Sequence, residues 1–216
     1  MPANIVATIR SDERVFVTGK TGSGKTYLAR HLLTAFSRLM VLDSKGSLRD
    51  WGLDDYDAKA RDTFRKGEPA RVRVLADAYA DPSETWERAM IDLYESGNAV
   101  LYCDEMYAVV DPGKRPPAVM NAIWTRGREL GIGAWGATQR PVWVPLFALS
   151  EADHFFMFRL NLFEDRRRMS EFVNEEVMTP IVEAHGFYYY RTGEETPTYQ
   201  PILYSNGRSA QRAIQE

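Results

Sequence analysis

The chain alternates short apolar runs with stretches of helical spacing, and most of the apolar runs end on polar or glycine-rich turns. Val15-Phe16-Val17 is followed by a glycine-rich turn and then by Tyr27-Leu28-Ala29-Arg30-His31-Leu32-Leu33, whose apolar positions recur as on a helix. Leu39-Met40-Val41-Leu42 reads as a second buried strand with Asp43 at its tip, and Asp43-Ser44-Lys45-Gly46 turns the chain. Residues 50–69 are polar and broken by Gly52, Gly67 and Pro69, which assigns them to the surface. Arg71-Val72-Arg73-Val74-Leu75 alternates like a strand with one wet face. A helix is predicted from the capping-type Ser83-Glu84 to Ser96, with Trp86, Met90, Ile91, Leu93 and Tyr94 at helical spacing and a stop at Gly97. Ala99 to Cys103 is a further apolar strand, and it ends in Asp104-Glu105.

Pro116-Pro117 introduces a helix over Ala118 to Leu130, closed by Gly131. Ile132 to Ala137 is small enough for a crowded central strand, and it runs into Thr138-Gln139-Arg140-Pro141. His154 to Leu160 gives another strand and Phe163 to Val173 another helix. Phe187 to Arg191 and Thr198 to Tyr204 flank Gly193-Glu194-Glu195 as a terminal hairpin. Strands alternating with helices in this way predict an α/β fold: a mostly parallel sheet with helices on both faces, plus the C-terminal hairpin. The 216 residues suit one domain over residues 1–204, with a core at 14–160, an elaboration at 161–204 and a polar, mobile tail from Ser205.

A net charge of −3 excludes a protein that coats nucleic acid by bulk positive charge, so any DNA contact has to be local. The single Cys103 lies inside an apolar strand and excludes a disulfide framework within the chain. The first residues lack a basic-then-apolar leader pattern and no apolar run is long enough to span a bilayer, which points to a reducing, intracellular setting.

Gly19-Lys20-Thr21-Gly22-Ser23-Gly24-Lys25-Thr26 matches G-x-x-x-x-G-K-[ST] in full, between a strand and a helix. Glycines let the backbone curl until its N–H groups point at the β-phosphate of a nucleoside triphosphate, at the positive end of the following helix. Lys25 is placed to reach the β/γ-phosphates and Thr26 to give its hydroxyl to Mg²⁺, with Tyr27 next to them on the first helical turn. The acid pair after the 99–103 strand is the expected partner of this loop: Asp104 for the Mg²⁺ shell, Glu105 to orient and deprotonate the attacking water. Gln139 ends the next strand, where a neutral amide can sense the γ-phosphate. Arg126 and Arg128, near the end of the 118–130 helix, are candidates for an arginine finger that stabilises a neighbouring subunit's transferring phosphoryl group. Helix-end charge complementation accounts for an arginine there equally well.

Together, Gly19 to Thr26, Val41 to Gly46, Leu101 to Glu105, and Gly127-Arg128 through Thr138-Gln139-Arg140-Pro141 resemble the FtsK/HerA superfamily of DNA-pumping ATPases. Within it, the small viral genome-packaging ATPases are the most similar, and the resemblance spans residues 14–160. It implies a P-loop NTPase of the RecA-like ASCE type that binds ATP and Mg²⁺, with Glu105 as base, Gln139 as sensor and Arg128 ahead of Arg126 as a finger acting in trans. It further implies a pentameric or hexameric ring that threads double-stranded DNA, docks on a capsid portal or vertex, and works in the host cytoplasm. Basic candidates for the DNA-facing surface are Lys114 and Arg115 in the 111–116 loop, and Lys59, Arg61 and Lys66. Two other readings remain open on the residues alone: a P-loop kinase of a small hydroxyl-bearing substrate, and an ATP-gated phage assembly or export factor that moves no DNA.

Overall fold

The computed structural model describes residues 8–75, 82–110, 113 and 115–200. Lys114, residues 201–204 of the expected hairpin and the 205–216 tail lie outside them. Among the described residues nine strands form one sheet in the order β3-β4-β2-β5-β6-β1-β7-β8-β9. The central strands β1 (Arg14–Thr18), β2 (Arg38–Asp43), β5 (Val100–Asp104), β6 (Gly133–Thr138) and β7 (His154–Phe158) are buried along their whole length. Continuous burial is what a parallel strand covered on both faces requires, and it explains their unbroken apolar runs. β3 (Asp54–Asp55) and β4 (Ala70–Leu75) extend the sheet in parallel on one side. On the other side β8 (Phe187–Arg191) and β9 (Thr198–Gln200) add antiparallel strands. The aromatic β8 is packed rather than presented: Tyr189 lies against Phe156, and Phe187 against Phe158, with ring centroids 5.0 Å apart in each case.

The two faces are covered unequally. One carries α2 (Ala58–Arg65), α3 (Pro82–Ser96), α4 (Met106–Val109), α5 (Ala118–Arg126), α6 (Leu146–Ser150) and α7 (Phe163–Ser170). The core there joins Phe16, Met40, Leu101 and Phe155 of the sheet to Phe64, Trp86, Met90, Trp124 and Met169. The opposite core is built on α1 (Lys25–Leu33), whose Leu28, Ala29, Leu32 and Leu33 meet Val15, Val17, Val41, Tyr102 and Trp135. β6 is crowded as expected: a Cβ on Gly133 would lie 2.4 Å from the Ser11 carbonyl oxygen.

The structure corrects several boundaries. The helix expected over 118–130 loses its α geometry at Arg126, and Gly127–Leu130 forms a 3-10 turn. Ile132 N–H bonds back to the Gly127 carbonyl at 2.8 Å, which pulls the chain into β6 early. The 163–173 helix ends at Ser170. The polar 50–69 stretch holds α2, missed because Phe64 is its sole buried residue, although Asp57 caps its N-terminus by accepting from Ala60 N–H. Short α4 and α6 were also missed. The expected wet face of β4 is only partly exposed, because its arginines are engaged: Arg71 donates to the Leu33 and Phe36 carbonyls, and Arg73 to Asp55.

Candidate active site

Three strand tips meet the phosphate loop. β6 lies between β1 and β5, with Thr18 opposite Thr138 and Cys103 opposite Gly136. The residue after β6, Gln139, therefore stands between the loop that follows β1 and the acids that end β5. β2 flanks β5 on its other side, with Asp43 opposite Asp104.

The loop itself is held by backbone only glycine tolerates well. Gly19 has φ +152°, and a Cβ there would approach Phe158 Cβ to 2.5 Å and Ser23 Oγ to 2.8 Å. Gly22 and Gly24 also have positive φ, Gly24 at the start of α1. Lys20 is anchored by its N–H to the Arg159 carbonyl at 2.8 Å. Lys25 is buried, and its ammonium donates to the Gly19 and Lys20 carbonyls at 2.7 and 3.1 Å. Burial pushes its pKa down to about 8, against the raising influence of Glu105 and Asp104. Neutral carbonyls are weak partners for a buried cation, and anionic phosphate oxygens would serve it better. Ser23 Oγ is buried with no hydrogen-bond partner, a second polar group of the loop left for a ligand. Thr21, Gly22 and Thr26 are exposed on the rim, and Tyr27 is 56% exposed beyond them.

The acids sit deeper. Asp104 accepts the Tyr102 hydroxyl on Oδ1 at 3.0 Å, and burial pushes its carboxyl up. Asp43 and Glu105 add to that rise, while the Tyr102 bond and Lys45 oppose it. A buried carboxylate in this state is suited to a divalent cation. With the Thr26 hydroxyl and the oxygens of a bound phosphate it would supply a hard oxygen donor set of the kind that suits Mg²⁺, an ion that keeps several of its waters. Glu105 is 4% exposed and takes the left-handed conformation, φ 63°, ψ 70°, at the start of α4. A non-glycine residue there costs about 1–2 kcal/mol, a strain typical of functional positions. Its Oε1 accepts Gln139 N–H at 2.9 Å, and its Oε2 accepts Gln139 Nε2 at 2.6 Å and Lys45 Nζ at 3.0 Å. Gln139 Oε1 in turn accepts the Thr21 hydroxyl at 2.6 Å, so phosphate loop, amide and acid are one hydrogen-bonded chain.

Lys45 was not singled out from sequence. Its aim is set by Asp43, fully buried, which accepts the N–H groups of Lys45, Ser47 and Leu48 at 3.3, 3.2 and 3.0 Å. The signal was present in the D-x-K-G turn after β2, but only the sheet order reveals that this turn faces Glu105.

The arginines are elsewhere. Arg128 lies before β6 at the opposite edge of the sheet, where it donates to Asp153 at 2.6 Å. A strand of six residues, about 20 Å, separates it from its own phosphate loop. Arg126 is exposed at the end of α5 and, with Arg115, lines an open groove of about 630 Å³ against Leu146 and Phe147 of α6. Arg140, next to Gln139, stacks over Trp143 at 4.2 Å and pairs with buried Asp165 at 2.9 Å. Of the other basic candidates, Lys59 is exposed on α2, Arg61 is bound to buried Asp92 at 2.6 Å and Lys66 to Asp62 at 2.6 Å.

Strand order, phosphate loop and the acid with its amide partner define a P-loop ATPase. No protein-family model matches the chain. The DNA packaging ATPase P9 of Enterobacteria phage PRD1 is 34% identical over 168 residues, covering 74% of this chain and 70% of that protein. The chain belongs to the family of that packaging ATPase. Among solved structures, the genome packaging NTPase B204 of Sulfolobus turreted icosahedral virus 2, in complex with AMPPCP, superposes with a TM-score of 0.72 at 21% identity, covering 90% of this chain and all of that one. VirB4 of Thermoanaerobacter pseudethanolicus shares the fold at a TM-score of 0.66 and 9% identity, over 89% of this chain and 90% of that one.

Proposed function

We propose that this protein is an ATP-hydrolysing motor that drives double-stranded DNA into a viral procapsid. The observation that carries the reading is the bonded chain from Thr21 through Gln139 to Glu105. Glu105 and Gln139, bonded to the phosphate loop, support the roles of a water-activating acid and a γ-phosphate-sensing amide, which a kinase acting on a bound hydroxyl would not need. Family membership with the phage packaging ATPase supports DNA as the cargo.

In this reading the loop N–H groups and Lys25 bind the phosphates, and Lys25 exchanges its carbonyl partners for phosphate oxygens. Thr26 and Asp104 would hold Mg²⁺, which neutralises charge on the β- and γ-phosphates. Gln139 turns its amide to the γ-phosphate, and Glu105 takes a proton from the water aimed at phosphorus. Arg128 acts in trans, because the length of β6 keeps it from its own site and it is half exposed. Active sites completed between subunits require an oligomer, in this reading a pentameric or hexameric ring, placed in the host cytoplasm and at a portal or vertex of the capsid. Among the described residues no helix is long and apolar enough to cross a membrane. Residues 14–160 carry this chemistry within one domain, and β8 and β9 close the sheet edge beyond β7.

The test is ATP turnover per subunit against protein concentration, with and without duplex DNA, in wild type and Arg128→Ala. Turnover that rises with both concentration and DNA, and falls about a thousandfold in the variant, supports a shared active site. Turnover indifferent to all three overturns it.

A further inference from the structure

The base proposed above is covered by donors on both of its oxygens. Oε2 of Glu105 has both lone pairs occupied, by Lys45 Nζ and Gln139 Nε2, and Oε1 holds Gln139 N–H. The carboxylate is 4% exposed, and three donors, one of them a cation, cover three of its four acceptor positions. Oε2 is uncovered only when both of its side-chain donors, the Gln139 amide and the Lys45 ammonium, turn away. Gln139 N–H belongs to the backbone at a strand tip and is fixed, whereas the Lys45 side chain is 48% exposed on a flexible four-carbon stem.

We propose that Lys45 exchanges partners between Glu105 and the γ-phosphate of ATP. Without nucleotide its ammonium clamps Glu105. When ATP enters, the γ-phosphate offers the stronger and more numerous acceptor oxygens, and Lys45 crosses to it. With the Gln139 amide turned to the same phosphate, Oε2 of Glu105 is freed for water, and only a triphosphate releases the base. ADP lacks the γ-phosphate and leaves the clamp closed. The turn is built for this: Asp43 fixes the backbone of residues 45–48, Ser44 Oγ donates to the Asp104 carbonyl at 3.0 Å, and Gly46 supplies the positive φ, so only the Lys45 side chain is left to move. Lys25 and Lys45 also repel each other, a conflict that phosphate oxygens between them would relieve. Lys45 is thus a positioning residue for the base, and the inference rests on Glu105 being that base.

The decisive experiment is a binding cycle on the full-length protein with AMPPCP and ADP in Mg²⁺ buffer, in wild type, Lys45→Met, Glu105→Gln and the double variant. Lys45→Met weakens AMPPCP about tenfold, the worth of one charge-assisted contact, and changes ADP less than twofold. Glu105→Gln removes the competing carboxylate and tightens AMPPCP several-fold, and that gain disappears in the double variant. Lys45→Arg, which keeps the charge, retains the preference for the triphosphate. Equal weakening of AMPPCP and ADP in Lys45→Met, or a gain from Glu105→Gln that survives in the double variant, overturns the exchange. The base assignment fails separately, by near-normal turnover in Glu105→Gln.

Discussion

The two edges of the sheet solve the same electrostatic problem in opposite ways. At the N-terminal edge of the strands, helices arrive with their carbonyl ends, the negative pole of each. Three strand-start arginines close those ends. Arg14 donates to the Ile123 and Trp124 carbonyls of α5 at 3.3 and 2.9 Å. Arg38 reaches the Gly97 carbonyl beyond α3 at 2.6 Å and the Phe64 carbonyl of α2 at 2.8 Å. Arg71 takes the Leu33 and Phe36 carbonyls at the end of α1. Burial lowers the pKa of all three from the usual arginine value, yet none approaches neutrality at physiological pH, because guanidinium starts so high. At the C-terminal edge α1 starts with no acidic residue in its first turn and no side-chain cap among the described residues, Ser23 Oγ is unpartnered and Lys25 rests on carbonyls. One edge is completed by the protein; the other is left for a ligand to complete.

The largest way to break that contrast is to spoil the open edge without touching the closed one. In Gly19→Ala the added methyl meets Phe158 and Ser23, and the residue is strained at φ +152°. Strain and overpacking of about 3 kcal/mol in the loop correspond to about a hundredfold loss of nucleotide affinity. Titration with AMPPCP checks this, and an affinity within threefold of wild type would show that the loop accommodates the methyl.

The converse change is Arg38→Met, which opens the closed edge. It leaves the Gly97, Asn98 and Phe64 carbonyls and Ser96 Oγ without their shared donor, a loss of about 2–3 kcal/mol in unfolding free energy. Nucleotide affinity of the folded protein should stay within about twofold, since five-residue and six-residue strands separate the two edges. Denaturant unfolding paired with AMPPCP titration separates the two quantities. A stability loss below 0.5 kcal/mol, on the order of a surface substitution, would contradict the role given to the arginines.

Much of the open edge was legible in the sequence and little of the closed one. Gly19 to Thr26, Asp104, Glu105 and Gln139 are consecutive with strands whose apolar runs are unmistakable, and parallel strands bring their C-terminal tips together whatever lies between. The bond from Gln139 to Glu105 follows from that alone. Lys45 required the knowledge that β2 neighbours β5, which no local pattern encodes. Arg71 was taken for a solvated position because alternation looks the same whether the second face meets water or a helix end. The helices α2, α4 and α6 escaped because each buries few apolar side chains, so helical periodicity had nothing to register. Arg128 was placed on a helix correctly in part; its seat on Asp153 depends on the start of β7, 25 residues along the chain.

The smallest effect probes whether the closed edge is static or titrates. His154, fully buried at the start of β7, holds Tyr189 Oη at 2.9 Å with Nδ1 and Glu13 Oε2 at 3.0 Å with Nε2. Burial lowers its pKa below 6.5, and Arg191 acts the same way, against the raising pull of Glu13 and Asp153. Below pH 6.5 the unfolded chain therefore binds more protons than the folded one, and stability falls as pH falls from 6.5 toward the folded pKa. The loss is on the order of 1 kcal/mol per pH unit at most, a few degrees in Tm between pH 7 and pH 5.5. His154→Gln, which keeps a donor and an acceptor without a titrating ring, should flatten this dependence and leave nucleotide affinity unchanged over the same range. If instead the variant lost nucleotide affinity, the two edges would be coupled through β7, whose far end packs Phe158 against Gly19. The closed edge would then be part of the motor's moving parts rather than its frame.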